Sequence, residues 1–340
     1  MRRDGGEPEN PGEDGRGKRL APGLRPVFPS SGPPGHLLPQ GEKDVEADLP
    51  VTDLPSLRES LDAHGLLAKK SFGQHFLLDL NVTRKIVRLA GRFEGRAVIE
   101  VGPGPGGLTR ALLESDAGKV VLVEKDPRFL PLLAELDDGS GRLVVVEADA
   151  LGVREAELVE GPAHVVSNLP YNVGTPLLIK WLTGPWSPHA LTLMFQKEVA
   201  ERITAAPGDD AYGRLAVISQ AVCEAKLVMH LPAAAFTPPP KVASAVVHLV
   251  PRADRPDHAL LKALERVTAA AFGQRRKMLR SSLKPLGGAA LCEAAGLSPE
   301  DRAEVIDLAG FLRLARAVAG QAQPAGPDDG GATMMRRKRG

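Results

Sequence analysis

From about residue 51 to residue 250, short apolar runs alternate with stretches of helical periodicity, and glycine or charged breaks separate them. Ala97–Val101, Lys119–Val123, Leu143–Val146 and Ala163–Ser167 are dominated by Val, Ile, Leu and Ala, the pattern of strands covered on both faces. Asn81–Leu89, about Leu108–Leu113 and Val173–Leu182 instead repeat apolar positions every three or four residues, which predicts helices. Further on, Ala190–Phe195, Lys226–His230 and Ala243–Val250 read as strands, and Gln196–Ile203 and Tyr212–Cys223 as helices. Strands and helices in alternation predict an α/β, Rossmann-like sheet.

The ends of the chain follow other patterns. Residues 1–50 hold nine Pro and nine Gly among charges of both signs, with almost no apolar periodicity. Such a segment cannot bury enough surface to offset its ordering entropy and is expected to be a disordered extension. From His258 onward the periodicity is helical, with a break at Gly287-Gly288 and a stop near Gly320. The expected division is therefore a disordered 1–50, an α/β domain over 51–252, a small helical domain over 253–320 and a disordered basic tail over 321–340.

Charge sharpens this division. Residues 1–50 carry 7 basic and 9 acidic groups, 51–250 carry 20 and 23, and 251–340 carry 16 and 10, so positive excess is confined to the last quarter. Between Glu265 and Glu293 no acidic residue occurs, while Arg275, Arg276, Lys277, Arg280 and Lys284 do. A solvated helix face usually mixes signs, so phosphate contact is favoured there over a plain exposed surface. Lys69 and Lys70, ahead of a Gly-broken aromatic pair, fit either a phosphate backbone or a solvated edge. Cys223 and Cys292 lack any partner spacing, so neither a disulfide framework nor a metal site is implied, which suits a cytoplasmic location. No apolar run approaches the roughly 18 residues of a membrane span.

Candidate chemistry gathers at strand ends. Gly102-Pro103-Gly104-Pro105-Gly106-Gly107 follows the first strand of the series and precedes a helix, where glycines let a ligand approach the backbone. It also satisfies G-x-G-x-x-G, which admits a nicotinamide dehydrogenase. Glu124 ends the next strand, 22 residues beyond Gly102, at the offset of a ribose acceptor; Asp149 follows the third and can accept from an adenine amine. The plain alternative is a pair of ordinary acidic strand ends, but their place at the carboxyl ends of consecutive strands favours the functional reading. The fourth strand delivers Asn168-Leu169-Pro170-Tyr171: an amide oxygen, a main-chain carbonyl fixed by the following Pro, and an aromatic plate. These suit the exocyclic amine of a flipped-out base, for which a dehydrogenase has no use. Phe236, in Phe236-Thr237-Pro238-Pro239-Pro240-Lys241, is either a second stacking face or a packed anchor. His75 alone reads more readily as packing than as a ligand.

Together, Lys70-Ser71-Phe72-Gly73-Gln74-His75-Phe76-Leu77, Glu100-Val101-Gly102-Pro103-Gly104, Asn168-Leu169-Pro170-Tyr171-Asn172-Val173-Gly174-Thr175-Pro176, Phe236 to Ser244 and Phe272 to Leu283 resemble the successive signatures of the ribosomal RNA adenine N6,N6-dimethyltransferases. The resemblance runs from about Leu66 to Ala319. It implies a class I methyltransferase sheet and S-adenosylmethionine-dependent dimethylation of two adjacent adenines in the 3'-terminal hairpin loop of 16S rRNA, within an assembling 30S subunit. It implies cofactor binding by His75, Leu77, Gly102, Gly104, Glu124, Asp149 and Asn168. Asn168, Leu169, Tyr171 and Phe236 would serve the target adenine, and Lys69, Lys70, Arg275, Arg276, Lys277 and Arg280 the RNA backbone. His75 departs from the Asn of many members, and Gly174 from a frequent Ser. The alternatives are a 23S rRNA adenine methyltransferase of the macrolide-resistance type, which usually has Ile at the Leu169 place, and a non-catalytic ribosome-assembly factor.

Overall fold

The computed structural model describes Arg25–Pro26, 55–66, 75–274 and 276–321. The expected disorder of residues 1–50 and of the tail beyond 321, and the predicted roles of Lys69, Lys70 and Arg275, lie outside the described residues, Arg25–Pro26 and Gln321 aside.

Among the described residues the first elements are β1 (Arg25–Pro26) and α1 (Leu57–Ala63), which starts at a capping box between Ser56 and Glu59. β2 (Phe76–Leu77) leads to α2 (Leu80–Ala90), capped by Asp79, and to β3 (Ala97–Val101). Next come α3 (Gly107–Leu113), β4 (Lys119–Glu124), α4 (Leu130–Ala134), β5 (Leu143–Glu147) and β6 (His164–Asn168). α5 (Gly174–Thr183), β7 (Ala190–Gln196), α6 (Lys197–Thr204) and α7 (Arg214–Val222) follow. β8 (Cys223–Leu231), β9 (Phe236–Thr237) and β10 (Ser244–Pro251) complete the strands. Among the described residues four helices follow: α8 (His258–Gly273), α9 (Leu279–Ser282), α10 (Gly288–Ala294) and α11 (Leu308–Gln321).

The main sheet has the order β1-β5-β4-β3-β6-β7-β10-β8. Its five central strands from β5 to β7 are parallel, while β10 pairs antiparallel with both β7 and β8. Order runs outward one way from β3 to β5 and the other way from β6, so the crevice between β3 and β6 is the topological switch point where open sheets bind ligands. Successive strand residues point to opposite faces: Ile99, Val101, Val121 and Val165 enter one apolar cluster, and Val98, Val120, Leu122 and Val166 the other.

The first cluster continues from α5 and α7 into the closing helices. Tyr212 joins them: its hydroxyl donates to the Ile306 carbonyl at 2.9 Å, and its ring meets Phe272, which stacks on Phe311. The periodicity predicts one helix through Phe272 to Lys284, and the structure corrects this. α8 stops at Gly273, Lys277 N–H donates back to the Gln274 carbonyl, and extended Met278 starts α9. Arg276 and Lys277 thus sit in a turn.

Candidate active site

The carboxyl ends of β3, β4, β5 and β6 open onto one side of the sheet. After β3 the chain turns through Gly102 and Gly104, both at positive φ (66° and 53°). A Cβ on Gly102 would lie 3.3 Å from the Pro170 ring, and one on Gly107 only 2.5 Å from the Leu77 carbonyl oxygen. The glycine turn is therefore wedged between the proline of the Asn168 quartet and the Phe76–Leu77 strand, and a side chain would force it away from both.

Glu124 is 6 % exposed, and its carboxylate accepts from Gly104 N–H at 3.0 Å and Asp126 N–H at 2.8 Å, which fixes the turn to the end of β4. Burial raises its pKa, and these backbone donors oppose the rise. Behind it Glu100, 2 % exposed, accepts the Thr109 hydroxyl at 2.7 Å. Burial pushes that carboxyl up to about 8, the Thr109 bond pulling down and Glu124 adding repulsion. At neutral pH Glu100 carries a proton and can itself donate. Asp149, by contrast, is exposed, and its pKa is lowered, first by Lys125 at 2.8 Å and then by the Leu151 N–H.

β6 ends at Asn168, which is half-buried, and the buried Leu169 side chain anchors the loop beneath it. Val173 and Gly174 N–H both donate to the Pro170 carbonyl at 3.1 Å, turning the chain into α5. The Tyr171 hydroxyl bonds the fully buried Ser244 hydroxyl of β10 at 2.9 Å, and the His75 ring lies 6.1 Å from the Tyr171 ring, tilted by 31°. His75 Nδ1 donates to the Pro238 carbonyl at 2.7 Å, leaving Nε2 free to accept in the neutral ring. β2 pairs with β9, Leu77 opposite Phe236, so two motifs about 160 residues apart form one wall.

Two lobes result. One, of about 510 Å³, is lined by His75, Leu77, Gly102, Gly104, Glu124, Asn168, Leu169, Tyr171 and Phe236. The other, of about 460 Å³, is lined by Asp149, Ala150, Leu151 and Lys125 among others. Gly102, Glu124, Pro170 and Asn172 line both, so the two share a wall. Every described residue expected to serve the cofactor or the adenine is brought to this cleft. Arg276, Lys277 and Arg280 are not: they lie around the α8–α9 turn, and Arg280 pairs with Glu300 at 3.1 Å. The chain pattern assigned no role to Asn172, Leu151 or Glu100. Each neighbours a residue that the pattern does mark, but its exposure or burial depends on the folded sheet.

The parallel sheet with its antiparallel β10 and β8, the glycine turn after β3 and the acidic end of β4 define a class I, Rossmann-like methyltransferase. Two solved structures share it. A dimethyladenosine transferase from Plasmodium falciparum has TM-score 0.60 and 27% identity, covering 71% of this chain and 96% of that one. The 23S rRNA methyltransferase ErmE has TM-score 0.58 and 27% identity, covering 72% and 99%. The family model for ribosomal RNA adenine dimethylase matches residues 65–319, and the chain belongs to that family. Among curated relatives, the ribosomal RNA small subunit methyltransferase A of Phenylobacterium zucineum is 71% identical over 78% of this chain and 93% of its own length. That of Caulobacter vibrioides is 73% identical over 75% and 99%.

Proposed function

We propose that this protein dimethylates the N6 amines of two adjacent adenines in the 3'-terminal hairpin loop of 16S rRNA, using S-adenosylmethionine and acting on an assembling 30S subunit. The observation that carries this reading is the shared wall: the Asn168 quartet and the glycine turn touch through Pro170 and Gly102.

The cleft fits the cofactor. Gly102 and Gly104 line the cleft with bare backbone, so a ligand can approach their peptide groups closely, and Glu124, which lines both lobes, has acceptor capacity beyond its backbone donors. When bound, S-adenosylmethionine supplies an electrophilic methyl group on a sulfonium. Gly102, Gly104 and Glu124 would hold it, with Asp149 and Leu151 around its adenine and His75 and Leu77 at the other lobe. On the acceptor side, the Asn168 side-chain oxygen and the Leu169 carbonyl each accept one N–H of the target amine. The amine is thereby drawn toward a pyramidal nitrogen whose lone pair is no longer delocalised into the ring. The Tyr171 ring, its hydroxyl held by Ser244, stacks on the base after it leaves its helix, and Phe236 closes the opposite side. With the donor bound, the amine nitrogen would take the methyl group as the donor's S–CH3 bond breaks, leaving S-adenosylhomocysteine, and would then shed a proton to solvent.

Leu169 and the small-subunit names of relatives at 71% and 73% identity support 16S over 23S rRNA. The turn between α8 and α9 supplies cations for backbone contact, and we assign the closing helices to RNA binding. Among the described residues no helix is long and apolar enough to cross a membrane.

Incubating the full chain with labelled S-adenosylmethionine and, separately, immature small subunits, large subunits and duplex DNA tests the reading. Label at two neighbouring adenines of the small-subunit rRNA is expected. Label confined to large-subunit rRNA, or binding without transfer, would overturn it.

A further inference from the structure

The segment after β5 runs from Ala148 to Val153; Ala148 to Leu151 line the second lobe, yet Asp149, Leu151 and Gly152 are exposed and no strand or helix holds them. Its internal bonds are short-range: Leu151 N–H to the Asp149 carboxylate and Gly152 N–H to the Asp149 carbonyl. A loop of this kind keeps one shape only if something outside it binds its free carbonyls.

Two outside bonds hold the loop's start, Ala148 N–H to the Glu124 carbonyl at 2.9 Å and Lys125 to the Asp149 carboxylate at 2.8 Å; the carbonyls further along are held by Lys180 of α5. Its ammonium donates to the Ala150 carbonyl at 2.9 Å, to the Val153 carbonyl and to Glu155 Oε1 at 2.7 Å. A lysine has three N–H donors, and all three are used, gripping both halves of the loop. Its charge is met by Glu155, whose side chain is 8 % exposed and which also takes the Trp181 indole N–H at 2.7 Å. Lys180 lines neither lobe. It does sit on the helix that begins three residues after Tyr171, and Leu177 of that helix lines the second lobe directly.

We propose that Lys180, with Glu155 as its counter-ion, is a positioning residue that shapes the 148–153 loop to receive the adenosine half of the cofactor; this rests on the reading of the cleft given above. α5 thereby holds both sides of the reaction. Its first turn is tied to Pro170 of the acceptor loop, and its last turn clamps the cofactor loop. A compact ammonium suits the task because three carbonyl or carboxylate oxygens converge on one point, whereas a guanidinium fork spreads its donors in a plane.

Two full-length variants test this: Lys180→Met, and Lys180→Met with Glu155→Gln, which avoids leaving a buried carboxylate unpaired. S-adenosylhomocysteine binding is measured by calorimetry, subunit binding by filter retention, and transfer by kinetics. In both variants S-adenosylhomocysteine affinity should fall roughly tenfold, the factor of one lost charge-assisted bond. The KM for S-adenosylmethionine should rise to match, with kcat within about twofold and subunit binding unchanged. Unaltered S-adenosylhomocysteine affinity overturns the assignment. So does loss of cofactor and subunit binding together, which marks Lys180 as a support of the fold. A wild-type chain that binds S-adenosylhomocysteine but leaves small subunits unmethylated refutes the proposed substrate while the affinity comparison still judges Lys180. One that binds neither overturns both.

Discussion

A carboxamide at position 168 offers an acceptor without a charge. It sits half-buried at the end of β6, beside Leu169, whose buried side chain anchors the loop in the core. On the proposed reading, Asn168→Ala leaves the target amine one acceptor short. We expect a loss of about 2 to 4 kcal/mol of transition-state stabilisation, a fall of roughly 30- to 1,000-fold in kcat. S-adenosylhomocysteine affinity should move much less, and equal turnover by variant and wild type would remove Asn168 from the chemistry. The quartet was legible in the chain because its four roles are consecutive. The anchors around it were not. Ser244, which holds the Tyr171 hydroxyl, is 73 residues away, and the His75 bond to Pro238 spans 163. Phe236 is 2 % exposed and lines the cleft at the same time, so the two readings open to it from sequence, wall and packed anchor, describe one position.

At the scale of elements, helix periodicity carried past the point where the helix ends. Ala270 to Lys284 gives no proline before residue 285, and only Gly273 marks the stop that the Lys277 to Gln274 turn completes. The break changes what the basic run can do. Cations on a helix would point around its axis, whereas exposed Arg276 and Lys277 project from a turn, and Arg280 is turned toward Glu300. A count of charge along the chain could not anticipate Glu300, which folding brings back from 20 residues downstream. Replacing Arg275, Arg276 and Lys277 together with Ala should flatten the dependence of log K on log salt by about 0.7 to 0.9 for each phosphate no longer neutralised. Arg280→Ala should change the slope less, since its guanidinium is already paired. Filter binding across a salt series reads both, and an unchanged slope for the triple variant would place RNA contact elsewhere.

Across the whole molecule, catalysis and acid stability belong to opposite ends of the sheet. The cleft lies at the carboxyl ends of the parallel strands; His164 lies at the amino end of β6, 3 % exposed, with neither ring nitrogen hydrogen-bonded. Phe93 meets it edge-on at 4.8 Å, and His189 lies at 4.7 Å. Burial, then the positive charges of His189, Arg96 and His248, lowers its pKa to about 4, with Asp116 opposing. The strand pattern placed this residue correctly one step before the buried Val165, but a histidine at a strand start looks the same whether it faces water or Phe93. Because its folded pKa is depressed below the unfolded 6.5, the unfolded chain takes up the proton first. Stability is therefore full above pH 6.5 and drains away as pH falls toward 4. Between pH 7 and 4.5 the wild type should lose roughly 2 kcal/mol through this one group. His164→Leu removes the titration and the two unpaired nitrogens, so its denaturant midpoint should fall less over that interval. Methyl transfer at neutral pH should be untouched, since the ring lies at the opposite end of β6 from Asn168 and the cleft. If wild type and variant lose stability in parallel on acidification, the acid sensitivity resides in other groups, of which half-buried His248, whose pKa is also lowered by desolvation, is the next to replace.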